Sequence, residues 1–113
     1  MPKKINTINL LKAYIQGVET RANHHANSVN EVIYALVGFI VRYKDDKDIE
    51  IKSENSEMKN VLWLSIKDKR YAFSYNHENG KIEMRENSLK GNTIFQFDNN
   101  SNIKGIKEFF ESL

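Results

Sequence analysis

The stretch Ser28-Val-Asn-Glu-Val-Ile-Tyr-Ala-Leu-Val-Gly-Phe-Ile-Val-Arg-Tyr43 is the most apolar part of the chain and decides its fold. Ser28 can accept a hydrogen bond from the amide of Glu31, and the Glu31 side chain can reach back to the Ser28 amide, a pattern that starts helices. Apolar residues then recur at steps of three and four, which is the period of one helical face: Val29, Val32, Ile33, Leu36, Val37 and Ile40. Three more apolar residues lie on the other side: Ala35, Phe39 and Val41. We therefore predict a central helix with little of its surface in water.

We predict two further helices, one before the central helix and one after the strands. Thr7 or Asn6 can cap a first helix that runs to about Ala22. Its apolar stripe consists of Ile8, Leu11, Ile15, Val18 and Ala22. At the C-terminal end, a helix capped by Asn100, Ser101 or Asn102 carries Ile103, Ile106, Phe109 and Phe110.

Between the central and C-terminal helices the hydrophobic period changes from 3.6 to 2, which is typical of strands. The predicted strands cover residues 49–52, 61–66, 70–75, 81–85 and 93–97. Connections this short join antiparallel neighbours, because a parallel crossover needs a dozen or more residues. We expect one α+β domain over residues 1–113, in the order α-α-β-β-β-β-β-α. It would be a five-stranded antiparallel meander with its helices packed on one face.

The turns predict which strand residues face the helices. Asn79-Gly80 is a strong signal for a two-residue hairpin turn, and a second two-residue turn is predicted at Asp68-Lys69. The resulting pairs are Tyr75 with Met84, Ser74 with Arg85, and Leu64 with Phe73. The predicted inner face is Leu62, Leu64, Ile66, Tyr71, Phe73, Tyr75, Ile82 and Met84. On the last strand, the sequence favours Phe95 and Phe97 over Ile94 for that face.

The opposite face of the sheet carries one large aromatic residue, Trp63. In the predicted register Trp63, Ser74 and Arg85 form one row, and Ala72 leaves space beside the indole. An aromatic residue beside small neighbours and an arginine is typical of an interface hot spot, and the guanidinium can stack on the indole. Two alternatives remain: a loop such as residues 53–60 covers Trp63, or Trp63 is an isolated exposed apolar residue.

Composition limits the classes of function. The chain has no cysteine, which excludes disulfides, thiolate metal ligands and a cysteine nucleophile, and which fits a reducing compartment such as the cytoplasm. No apolar run reaches the roughly 20 residues that span a bilayer. The 17 basic and 15 acidic residues are interspersed, which argues against a nucleic-acid partner.

Motifs for catalysis and metal binding are missing from the sequence. His24 and His25 are adjacent, so on a helix they point about 100° apart and cannot share a metal ion as an i, i+4 pair does. No HExxH, GxSxG or phosphate-binding glycine loop occurs. We therefore predict no catalytic residues, no metal site and no cofactor.

In its length, its lack of cysteine and its heavy use of Asn, Lys and Ile, the chain resembles the small orphan proteins encoded by bacterial integron gene cassettes. That group is defined by gene context, so the resemblance implies an accessory bacterial protein and transfers no site or mechanism.

The leading hypothesis is a non-enzymatic protein-interaction module, either a homodimer or a binder of another protein. It would bind through Trp63, Ala72, Ser74 and Arg85 or through an exposed edge strand. An immunity- or antitoxin-like role fits the size. The alternative is a small-ligand-binding protein or minor enzyme, with a pocket between the helices and the sheet near His24, His25, Tyr34 or His77.

Overall fold

The helices and strands occur in the predicted order. The computed structural model describes residues 7–23, 28–46, 49–51, 61–76 and 78–113. The elements are α1 (Thr7–Asn23), α2 (Val32–Tyr43), β1 (Glu50–Ile51), β2 (Val61–Ile66), β3 (Lys69–Asn76), β4 (Lys81–Glu86), β5 (Thr93–Phe97) and α3 (Ile103–Ser112). The strands form one antiparallel sheet in the order β1-β2-β3-β4-β5. The predicted α+β meander is therefore confirmed.

The core lies between the helices and one face of the sheet, the inner face. All eight residues predicted for this face are buried. They pack in one cluster with Leu11, Tyr14 and Val18 of α1, Ile33, Leu36 and Ile40 of α2, and Ile106 and Phe110 of α3. On β5, Phe97 is fully buried and the Phe95 ring lies 4.3 Å from the Phe109 ring, between centroids. The preference for the β5 aromatics over Ile94 is thus confirmed.

The buried face of α1 includes a tyrosine that the predicted stripe omits. Tyr14 is fully buried and its hydroxyl donates to the Phe73 carbonyl oxygen at 3.3 Å, whereas Ile8 is exposed. Burial raises the pKa of Tyr14 far above its usual value. Because the hydroxyl finds a backbone acceptor, the ring can pack in the core without leaving a polar group unpaired.

The central helix, α2, is exposed on one side, so the prediction that it has little surface in water was wrong. Val32, Ile33 and Leu36 are buried, but 55% of Tyr34 and 56% of Val41 are exposed. The described helices form a single layer over the sheet, which leaves the outward side of α2 in solvent. Gly38 lies on that side.

The start of α2 is capped by a residue distant in sequence, and the predicted Ser28–Glu31 capping pair was wrong. Ser28 instead donates its hydroxyl to the Gly80 carbonyl oxygen. The amides of Glu31 and Val32 both donate to Asn99 Oδ1, each at 2.9 Å. Asn99, which follows β5, therefore satisfies two of the free amides at the N-terminus of α2.

We expect Asn99→Ala to destabilise the fold by about 1–2 kcal/mol, the range of a lost N-cap. Urea unfolding measures the effect. The neighbouring exposed Asn100 provides the matched control, since Asn100→Ala removes the same atoms without removing a cap. Equal losses in the two variants would contradict the assigned role of Asn99.

The β2–β3 turn lies one residue earlier than predicted. Lys67 and Asp68 both have positive φ values, 51° and 66°, as a two-residue hairpin turn requires. The turn pairs Ile66 with Lys69 and Leu64 with Tyr71. Every pair on these strands is consequently shifted by two positions from the predicted one, which leaves the faces unchanged.

The β3–β4 connection spans four residues, 77–80, and the predicted two-residue turn at Asn79-Gly80 was wrong. Asn76 pairs with Lys81, and Asn76 Oδ1 accepts the Glu78 amide at 2.9 Å, so the chain leaves the strand early. Gly80 has a φ of +70°, and a Cβ there would lie 2.8 Å from Ser28 Oγ. The register between β3 and β4 is thus also shifted by two residues from the predicted one. The residues of the inner face are the predicted ones, but their cross-strand partners differ.

Candidate functional site

The sheet face opposite the helices, here called the outer face, carries the predicted interface residues. Its central positions are Val61, Trp63, Ala72, Ser74, Glu83 and Arg85. Trp63 pairs with Ala72, and Ala72 with Arg85. Ser74 lies one row away, between Val61 and Glu83. The predicted row of Trp63, Ser74 and Arg85 was therefore wrong, although the four residues do share the face.

The cation beside Trp63 is Arg70, which the sequence reasoning did not select. The Arg70 guanidinium carbon lies 5.9 Å from the indole centroid, and Arg70 Nη1 lies 2.8 Å from Glu50 Oε1. Both ion-pair partners are well exposed, so the pair itself adds little stability. Its effect is to hold a guanidinium near the aromatic ring, a contact worth about 0.5–1 kcal/mol at an exposed site.

Arg85 belongs to a separate polar cluster around Glu83. Although it lies on the outer face, Glu83 is only 5% exposed. Its carboxylate accepts from Arg85 Nη2 at 2.7 Å, Gln96 Nε2 at 2.9 Å and Asn79 Nδ2 at 3.2 Å. Glu83 is therefore a buried carboxylate on the face opposite the helices.

The electrostatics of this cluster keep Glu83 ionised. Burial would raise the pKa of the carboxyl, but the hydrogen bonds from Arg85, Gln96 and Asn79 and the charge of Arg85 outweigh it, and the pKa is lowered. A general acid needs a pKa near the working pH. The cluster is therefore suited to fixing the shape of the face and not to transferring protons.

A shallow cavity of about 290 Å³ lies beside this cluster. It is lined by Val61, Ser74, Tyr75, Asn76, Glu83, Arg85 and Leu89. Arg85 Nη1 also donates to the Gly91 carbonyl oxygen at 3.3 Å, which ties the β4–β5 loop to the outer face. Ser74 and Arg85 meet at this cavity, while Trp63 lies outside its lining.

Of the four residues predicted to line a ligand pocket, only Tyr34 lies in the described part of the chain. Tyr34 lies on the solvent side of α2, where its hydroxyl donates to Glu19 Oε2 at 2.9 Å, a hydrogen bond that raises the pKa of Tyr34. His24, His25 and His77, and the loop 53–60, lie outside the described residues. Within the described ranges, no three His, Asp or Glu side chains are grouped to hold a metal ion.

A family model described as "Integron cassette protein VCH_CASS1 chain" matches residues 11–107, from within α1 into α3. The chain belongs to this integron cassette family. No curated protein matches this cassette protein closely enough to count as a relative. In the parts of the cassette protein that the structure describes, no helix combines the length and hydrophobicity needed to cross a bilayer.

Proposed function

We propose that this cassette protein is a non-enzymatic interaction module that works in the cytoplasm and pairs with a second copy of itself through the outer face around Trp63. The observation that carries the proposal is the position of this tryptophan. The described helices pack against the inner face, whereas Trp63 lies half-buried on the outer one.

The neighbours of Trp63 suit an interface core. Ala72, its cross-strand partner, is small and fully buried, and Arg70 lies near the ring. Tryptophan and arginine are the residues most enriched among binding hot spots. A few such residues in a well-packed centre carry most of the energy of an interface, so a modest patch can be sufficient.

The charges around the patch favour a second copy over a strongly charged partner. Among the described residues around Trp63, side chains of both signs lie on the outer face and its margin: Glu50, Glu83, Arg70 and Arg85. In a two-fold dimer the same patch meets itself, so it must contain both signs of charge to be complementary. A patch that carries both signs meets this requirement.

Sedimentation equilibrium of the wild type and Trp63→Ala tests the proposal. We expect the wild type to approach twice its 13.2 kDa chain mass as concentration rises. Loss of a hot-spot residue costs about 2 kcal/mol or more, which is about a thirtyfold weaker dimer. Ile8→Ala, at an exposed apolar residue of α1, is the matched control and should leave the dimer unchanged.

Two results would contradict the proposal. One is a wild type that sediments as a 13.2 kDa monomer at every concentration. The other is equal weakening by Trp63→Ala and Ile8→Ala. Circular dichroism of each variant establishes that the fold is intact before the masses are compared.

A further inference from the structure

An apolar groove lies between α2 and α3 on the solvent side of the helix layer. This α2–α3 groove has a volume of about 420 Å³. It is lined by Ala35, Gly38, Phe39, Arg42, Tyr43, Ile103 and Lys107. Its volume falls in the range of small-molecule sites, which are mostly apolar with a few placed polar groups.

The aromatic wall of the groove, formed by Phe39 and Tyr43, packs on a buried ring. Phe110, which is buried, stacks on Phe39 at 5.7 Å and on Tyr43 at 5.8 Å between ring centroids. Both rings are therefore supported by contacts with the core on the side away from the groove. A preformed wall lowers the entropic cost of binding.

Gly38 lines the groove, and the backbone does not require a glycine at this position. It lies inside α2 without a positive φ, and a Cβ added there would meet no atom within 4 Å. Glycine inside a helix is destabilising relative to alanine, so fold stability alone favours a side chain at this position. What the missing side chain provides is open space in the groove.

Two cations border the otherwise apolar groove. The Arg42 guanidinium carbon lies 4.8 Å from the Tyr43 ring centroid, and Lys107 follows Ile103 by one turn of α3. Among the described residues, no carboxylate lies within ion-pair distance of either cation. The groove thus combines an apolar surface with two positive charges available to an anion.

We infer that the α2–α3 groove binds a small amphipathic carboxylate. The apolar tail would lie over Gly38 between Phe39 and Ile103, and the carboxylate would accept hydrogen bonds from Arg42 and Lys107. This site is independent of the outer face around Trp63 and needs no second copy of the chain.

Calorimetric titration with three matched probes tests the inference: 4-phenylbutanoate, 4-phenylbutan-1-ol and 4-phenylbutan-1-amine. The carboxylate is expected to bind at least about tenfold more tightly than the amine, the ratio expected for a charge-assisted hydrogen bond. Arg42→Gln/Lys107→Gln should weaken the carboxylate by about the same factor and leave the alcohol unchanged.

Gly38→Leu separates loss of the site from loss of the fold. It should abolish binding of 4-phenylbutanoate while melting at no lower temperature than the wild type. Val41→Leu, at an exposed α2 residue outside the groove lining, is the control and should bind as the wild type does. Any of three results would overturn the inference. They are equal affinity for the amine and the carboxylate, wild-type affinity of the Gly38→Leu variant for 4-phenylbutanoate, and no binding of any probe at millimolar concentration.

Discussion

Replacing Phe110 by alanine is expected to lower the free energy of unfolding by about 3–5 kcal/mol, the usual cost of deleting a buried phenylalanine. The Phe110 ring is 1% exposed and joins α3 to α2 and to the sheet. It lies within 5.7–6.3 Å, between centroids, of the rings of Phe39, Tyr43, Phe97 and Phe109. Removing it leaves a cavity where three elements meet.

Urea unfolding with a two-state fit measures the effect of Phe110→Ala. Ile103→Ala, at the exposed start of the same helix, is the control and should change stability by no more than about 0.5 kcal/mol. Because most domains are stable by only about 5–15 kcal/mol, the Phe110 variant should unfold at much lower urea. A loss below about 1 kcal/mol would show that α3 is not docked as described.

Glu83→Gln is expected to lower the free energy of unfolding by about 1–3 kcal/mol at neutral pH. The buried carboxylate accepts hydrogen bonds from three side chains, whereas the NH₂ group of a glutamine would face one of these donors and could not accept from it. The cost should also depend on pH. The pKa of Glu83 is lower in the folded protein than in the unfolded chain, where it is about 4.3. Its stabilisation is therefore present above that unfolded value and is lost as the pH falls through the lower folded value.

Urea titrations of the wild type and Glu83→Gln at pH 7 and pH 3 test this dependence. The stability difference between the two proteins should shrink at pH 3. Glu78→Gln, at an exposed residue of the neighbouring loop, should show no comparable difference at either pH. A Glu83 effect that is the same at both pH values would rule out an ionised carboxylate as its source.

The topology and the strand faces could be predicted because each rests on a local pattern. In β2, β3 and β4 the alternation of apolar and polar residues separates the inner from the outer face. The connections between strands are short, and short connections allow only antiparallel pairing of successive strands. The registers were wrong because each turn depends on backbone details of one or two residues. The β3–β4 turn begins at Asn76, so Asn79-Gly80 does not form a two-residue turn. In the β2–β3 turn the positive φ values lie at Lys67 and Asp68, whereas the predicted turn was Asp68-Lys69.

The polar contacts that define the candidate site could not be predicted from the sequence. Asn99 caps α2 from the far end of the sheet, and Gln96 meets Glu83 only because β5 pairs with β4. Such contacts depend on the correct register. In the observed register Ala72 replaces Ser74 between Trp63 and Arg85, and Arg70 pairs with Ser65, so that its guanidinium carbon lies 5.9 Å from the indole centroid.

Trp63 is the one tryptophan of the chain, so its own fluorescence tests self-pairing through the outer face most directly. As the protein concentration rises through the dimerisation range, we expect the indole emission to shift to shorter wavelength and acrylamide quenching to decrease, because the ring leaves water. Emission and quenching that stay constant while the protein dimerises would place the contact elsewhere and contradict the account.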